Sequence, residues 1–117
     1  MKIPINYKNR KIKLEAKNCN WLKKISGLMF CRRRKAEALL FEFPKNTRMA
    51  IHSWFVFFPF MAVWLDDKNE IIEKKIVNPF RFSIRPNKKY VSLVEIPLND
   101  KYKSIWEFLC SEPRTGD

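Results

Sequence analysis

The sequence predicts an α+β fold, mainly antiparallel β, with a small barrel-like sheet and one or two short helices. Three observations lead there. Short runs that alternate apolar with polar residues, or are wholly apolar, are separated by breaks rich in Asn, Pro, Asp and Lys, which is the pattern of strands and turns. Only two stretches carry helix signals. Ten Phe, four Trp and three Tyr supply enough apolar surface to hold a core, which excludes a disordered chain. A chain of 117 residues makes one domain, 1–117.

In residues 2–17, Ile3, Ile5 and Tyr7 alternate with polar positions, as do Ile12, Leu14 and Ala16. Lys8-Asn9-Arg10-Lys11 lies between them, so this stretch is expected to form an antiparallel hairpin with one buried face. Trp21, Leu22, Ile25, Leu28 and Met29 fall on one helical stripe, with Asn20 as its cap and Gly27 inside it. Ala38–Phe43 is an apolar run closed by Pro44-Lys45-Asn46 and is expected to be a buried strand. Ile71–Val77, Phe80–Ile84 and Tyr90–Ile96 are further strands. Ser104-Ile105-Trp106-Glu107 fits a capping box, in which Ser and Glu satisfy each other's helix-end N–H groups, so a helix is predicted over 104–110. With two glycines in the chain, Asn9, Asn46, Asn69, Asn78, Asn87 and Asn99 are expected to supply left-handed turn positions.

Met49 to Leu65 carries no Asp, Glu, Lys or Arg. A membrane-spanning helix needs about 20 apolar residues; this run is shorter and is broken by His52, Ser53 and Pro59. Its β-branched and aromatic content favours two buried strands, about 48–57 and 60–66, with Phe57 in the core. No transmembrane segment is expected. The amino-terminal residues show no apolar stretch of a signal peptide. Cys19, Cys31 and Cys110, an odd number at unrelated spacings, read as free thiols of a cytoplasmic protein.

Several ordered blocks resemble the domain of unknown function 192 family, especially its compact archaeal-type members. They are Gly27-Leu28-Met29 with Arg32, Leu40-Phe41-Glu42-Phe43-Pro44, Ile51-His52, Phe55-Val56-Phe57-Phe58-Pro59, Trp64-Leu65-Asp66, Pro79-Phe80-Arg81, Glu95-Ile96-Pro97 and Gly116-Asp117. The resemblance spans about residues 14–117. It implies a mainly β, barrel-like fold with short helices, and no established reaction. Met61 departs from the family's usual Asp, and Asn99 from its usual Gly.

The chemistry-bearing residues are sparse. Without Cys-x-x-Cys or His-x-x-x-His spacing, no metal or cofactor is implied, and no glycine-rich phosphate loop is present. Cys31 lies beside Arg32-Arg33-Arg34, which favours thiolate, but no base or oxyanion site accompanies it. Asp66-Asp67 is read as turn chemistry. Glu42 and Glu95 each interrupt an apolar strand, and a buried carboxylate requires a partner, for which Arg32, Arg48 and Arg81 are the candidates.

Charge is the strongest functional signal. Residues 1–48 hold 14 Lys/Arg against 3 Asp/Glu, a balance of +11, whereas residues 49–117 hold 10 against 9, a balance of +1, together the net +12. A basic half suits weak, non-specific contact with nucleic acid or an anionic surface. The anion-binding candidates are Arg32, Arg33, Arg34, Lys35, Lys23 and Lys24. Aromatic residues sit within apolar runs and are expected to be buried, so base stacking is not expected. The leading reading is therefore a non-catalytic binding or accessory module with a basic amino-terminal half. An enzyme with a polar cleft near His52, Arg32 and Glu42 is the alternative, and a peripheral membrane-surface protein the third.

Overall fold

A computed structural model of the chain describes residues 2–18, 36–47, 56–81 and 83–110. Strands β1 (Lys2–Tyr7) and β2 (Arg10–Glu15) form the expected antiparallel hairpin, registered from Lys2 opposite Glu15 to Tyr7 opposite Arg10. Its two-residue turn holds Lys8 at φ 48° and Asn9 at φ 66°. Two consecutive positive φ values match the right-handed twist of the flanking strands.

The remaining strands are β3 (Lys17–Asn18), β4 (Leu39–Thr47), β5 (Phe60–Leu65), β6 (Ile71–Val77) and β7 (Tyr90–Pro97). They make one mixed sheet in the order β3-β4-β7-β5-β6, parallel only between β3 and β4. All six residues of β5 are buried, because this strand lies between β7 and β6 with a core on each face. That explains the unbroken apolar run: alternation is lost when both faces are covered.

One core joins Ile3, Ile5 and Leu14 of the hairpin to Leu40, Met61, Val63, Val94 and Ile96 of the sheet. Helix α1 (Lys103–Cys110) closes it with Leu109. The opposite core contains Leu39, Phe41, Phe60, Ala62, Trp64, Tyr90 and Leu93, covered by Ala36, Val56 and Phe58. Met61, the departure from the resembled family, is thus a core residue. The Ala38 N–H donates to the Tyr102 hydroxyl at 2.7 Å, and Asn99 Nδ2 donates to the Ala36 carbonyl at 3.1 Å, tying the helix entry to the start of β4.

Besides this core, the hairpin is hydrogen-bonded to the sheet through Asn6. The Asn6 N–H donates to the Asn69 carbonyl at 2.9 Å, Asn6 Nδ2 to the Lys68 carbonyl at 3.1 Å, and Asn6 bridges Glu70 in parallel. The β5–β6 turn that receives it is organised by Asp66, whose Oδ1 accepts the N–H groups of Lys68 and Glu70 at 2.8 and 2.9 Å. This is the turn chemistry expected of Asp66.

Other expectations are corrected. Phe57 is 60% exposed and outside any strand, and its neighbour Phe58 is the buried one. The described residues of the expected strand Phe80–Ile84 form none: Phe80 turns at φ 63°, which breaks extended backbone, and Ile84 makes an isolated bridge. Strand β4 continues through Pro44 to Thr47, because its pairing with β7 shifts between Glu42 and Thr47, where proline's missing N–H is tolerated. Ser104 cannot cap α1, which starts at Lys103 directly after a 3-10 turn, Asp100–Tyr102. The Asn99 carbonyl instead accepts from the Tyr102 N–H and, at 3.4 Å, from the Trp106 indole. Asn9 and Asn69 are left-handed, as expected, but Asn99 is extended at φ −131°, so this site makes no demand for glycine. Among the described residues the strands do not close into a barrel. The helix expected over 21–29 and most of the strand expected over 48–57 lie outside the described residues.

Candidate anion-binding surface

Docking of the hairpin brings cations from distant parts of the chain around one aromatic pair. Tyr7, at the end of β1, is buried and meets Phe108 of α1 edge-on, with ring centroids 6.3 Å apart. The ammonium groups of Lys8 and Lys74 each lie 5.4 Å from the Tyr7 centroid. The Arg10 guanidinium lies 5.9 Å from Tyr7 and 4.6 Å from Phe108. The negative ring faces attract these cations and offset part of their mutual repulsion. Lys8 and Arg10 flank the left-handed Asn9, so the turn itself points two charges toward Tyr7. Lys74 arrives from β6 because Asn6 fixes the hairpin against the β5–β6 turn. Along the outer hairpin face, exposed Lys11 and Lys13 stand opposite Asn6 and Pro4, and Lys2 stands opposite Glu15.

Strand β6 is an edge of the sheet and carries a lysine on each face. Successive strand residues point to opposite faces. Lys74 therefore meets the hairpin, while Lys75 lies over Trp64 at 5.9 Å and donates to the Arg85 carbonyl at 3.0 Å. Lys75 also pairs with Glu73 at 3.0 Å. Burial works against the Glu73 charge, but the Asn87 N–H, donating at 3.0 Å, and the Lys75 ammonium hold its carboxyl below the usual carboxylate range. Beside Lys75 is an open cleft of about 320 Å³ whose polar lining is Asn78, Arg81, Ser83, Arg85 and Lys75 itself. Among the described residues no carboxylate lines it. A second cleft, about 640 Å³, mixes charges of both signs, with Glu15 and Glu37 against Lys17 and Lys101.

Arg32, Arg33, Arg34, Lys35, Lys23, Lys24 and His52 all lie outside the described residues, as do Cys19 and Cys31. Cys110 is a free, exposed thiol. Glu42 is exposed, which corrects its reading as a buried carboxylate. It stands at the last regular β4–β7 pair before the shift, and its Oε1 accepts Asn18 Nδ2 at 2.9 Å.

Glu95 is the buried acid. It lies in the middle of β7, with Leu39 and Ala62 opposite it on the two flanking strands. Burial pushes its carboxyl up to about 8. Tyr90, on the same strand, is also raised, to about 12, by burial and then by the Glu95 charge. Arg81, one expected partner, is exposed at the cleft, and Arg32 and Arg48 are outside the described residues. Among the described residues no three His, Cys, Asp or Glu side chains gather as metal ligands. No helix there is long and apolar enough to cross a membrane.

Reading charge by halves of the chain missed Lys74, Lys75, Arg81 and Arg85. The available signal was local: two consecutive lysines in a strand-like run must face opposite sides, so one of them had to meet whatever packs there.

No protein-family model matches the chain, and no curated protein does. Two solved structures share its fold. A protein of unknown function from Novosphingobium aromaticivorans aligns over 90% of this chain and 77% of its own, with TM-score 0.70 and 9% identity. A Sinorhizobium meliloti protein described as a "putative transcription regulator" aligns over 88% of this chain and 82% of its own, with TM-score 0.70 and 17% identity. At such identities the likeness establishes the fold: a small, mostly β, α+β domain.

Proposed function

We propose that the protein is a non-catalytic binding or accessory module of the cytoplasm that engages polyanions, nucleic acid above all, through a basic face. One observation carries this reading. Lys8 and Arg10 of the hairpin turn and Lys74, distant in sequence, converge on the Tyr7–Phe108 pair, and β6 carries Lys75 on its other face, beside the cleft of Arg81 and Arg85. Such convergence raises the local potential beyond what scattered lysines produce. The Arg32-Arg33-Arg34-Lys35 run and the Lys23-Lys24 pair add charge to the same role, and the description of the Sinorhizobium neighbour is compatible with it. Membership of the domain of unknown function 192 family, with a barrel-like closure of the sheet, belongs to the same proposal. Closure would have to involve residues beyond those described.

The test is binding of labelled DNA and RNA across a salt series. Neutralising phosphates releases counterions, so log affinity falls linearly with log salt. Charge reversal at Arg32, Arg33 and Arg34, and separately at Lys11 and Lys13, should weaken DNA and RNA binding alike, without sequence preference. Undiminished binding in both variants, or none in the wild type at low salt, defeats the reading.

A further inference from the structure

An exposed aromatic pair neighbours the basic cleft along the chain. Phe57 and Phe80 are 60% and 54% exposed, and their rings meet edge-on with centroids 5.5 Å apart. Phe80 lies in the chain between Asn78 and Arg81, both of which line the cleft. Ile76, another lining residue, is 55% exposed, so apolar and cationic groups adjoin on one small surface. Exposed aromatics of this size would ordinarily be buried; two together, next in the chain to a cationic cleft, mark a site for a ligand that is both flat and anionic.

The backbone supports the same assignment. Phe80 is held at φ 63°, a left-handed conformation that is unfavourable for a bulky residue. Folding alone would be served better there by Asn or Gly. Such outliers gather where a side chain must be aimed, and here the turn directs the Phe80 ring onto Phe57.

We infer that this surface binds single-stranded nucleic acid, a base stacking on the Phe57–Phe80 pair while the adjoining phosphates lie in the cleft of Lys75, Arg81 and Arg85. The inference rests on the polyanion-binding reading and adds strand type and a stacking site to it. A duplex keeps its bases stacked internally and cannot offer one to the pair, so the aromatic contribution is confined to single strands. An unstacked base presents its face to any aromatic side chain, so little sequence preference follows. The aromatic half of a nucleic-acid surface, not expected from the sequence, is therefore present in the fold.

Fluorescence anisotropy with an oligothymidylate and a duplex of equal length tests this on three proteins: wild type, Phe57→Ala/Phe80→Ala and Arg81→Glu/Arg85→Glu. Circular dichroism verifies folding, which exposed positions leave intact. The wild type should prefer the single strand. The aromatic variant should lose about tenfold or more in single-strand affinity with an unchanged salt slope and unchanged duplex binding. The Arg81/Arg85 variant should weaken single-strand binding and flatten its salt dependence. Equal binding of both forms, with no effect of removing the rings, overturns the stacking site and leaves the broader reading standing. Binding of neither form at low salt defeats both. A wild-type dimer that becomes monomeric without the rings assigns the pair to self-association and overturns the inference as well.

Discussion

Glu95 and Phe57 show how single residues are decided by their surroundings. The Glu95 carboxyl titrates near 4.5 in an unfolded chain and near 8 in this fold. Below pH 4.5 it is protonated in both states and burial costs little. As pH rises toward 8 the unfolded state releases its proton first, so stability falls across this window and then levels off. At about 1.4 kcal/mol per pH unit, the loss is of order 5 kcal/mol. Denaturant melts from pH 4 to 9 should show this decline, and Glu95→Gln should flatten it; a wild-type curve that is flat or rises contradicts the assignment. Phe57→Ala should cost less than about 1 kcal/mol, whereas Phe58→Ala should cost about 3–5 kcal/mol through lost burial and a cavity. Equal losses in urea melts would place both rings in the core. The sequence could not separate these neighbours, because Val56-Phe57-Phe58 has no alternation to say which ring faces inward. It did mark Glu95 as a strand carboxylate, but marked Glu42 equally. Pairing separates them: Glu95 has a partner strand on each side, at Leu39 and Ala62, whereas Glu42 stands beyond the end of the β3 pairing at Leu40.

At the scale of elements, legibility followed the number of covered faces. The hairpin could be read because one face is apolar and one wet, and β5 because both faces are covered and all six residues are apolar. The Phe80–Ile84 stretch failed because the backbone at Phe80 is left-handed, which residue types do not disclose. Pro44 misled for the opposite reason: a proline at a bulge does not end a strand. The hairpin turn carries its own prediction. With Asn9 at φ 66°, Asn9→Gly should hold or raise stability, whereas Asn9→Val should lower it by about 1–2 kcal/mol. Thermal or urea unfolding of the pair reads this out, and an Asn9→Val protein as stable as the wild type would rule out the left-handed turn.

Over the whole molecule, topology assembles the candidate surface. The sequence located a basic half but not the face, since Lys74 and Lys75 of β6, and Arg81 and Arg85 beyond it, belong to a half with almost no net charge. Tyr7 could be recognised as a hairpin core residue, but the cations around it depend on the docking of Asn6 against the β5–β6 turn. The most direct test of a single polyanion-binding face is therefore the effect of Lys74→Glu beside that of Lys8→Glu on oligonucleotide affinity over a salt series. Because both ammonium groups stand 5.4 Å from the same ring, the two variants should weaken binding to a similar extent. Each should also reduce the magnitude of the log–log salt slope by about 1. Lys8→Glu with a clear loss and Lys74→Glu with none would contradict the assembled face and return the basic charge to the amino-terminal half alone.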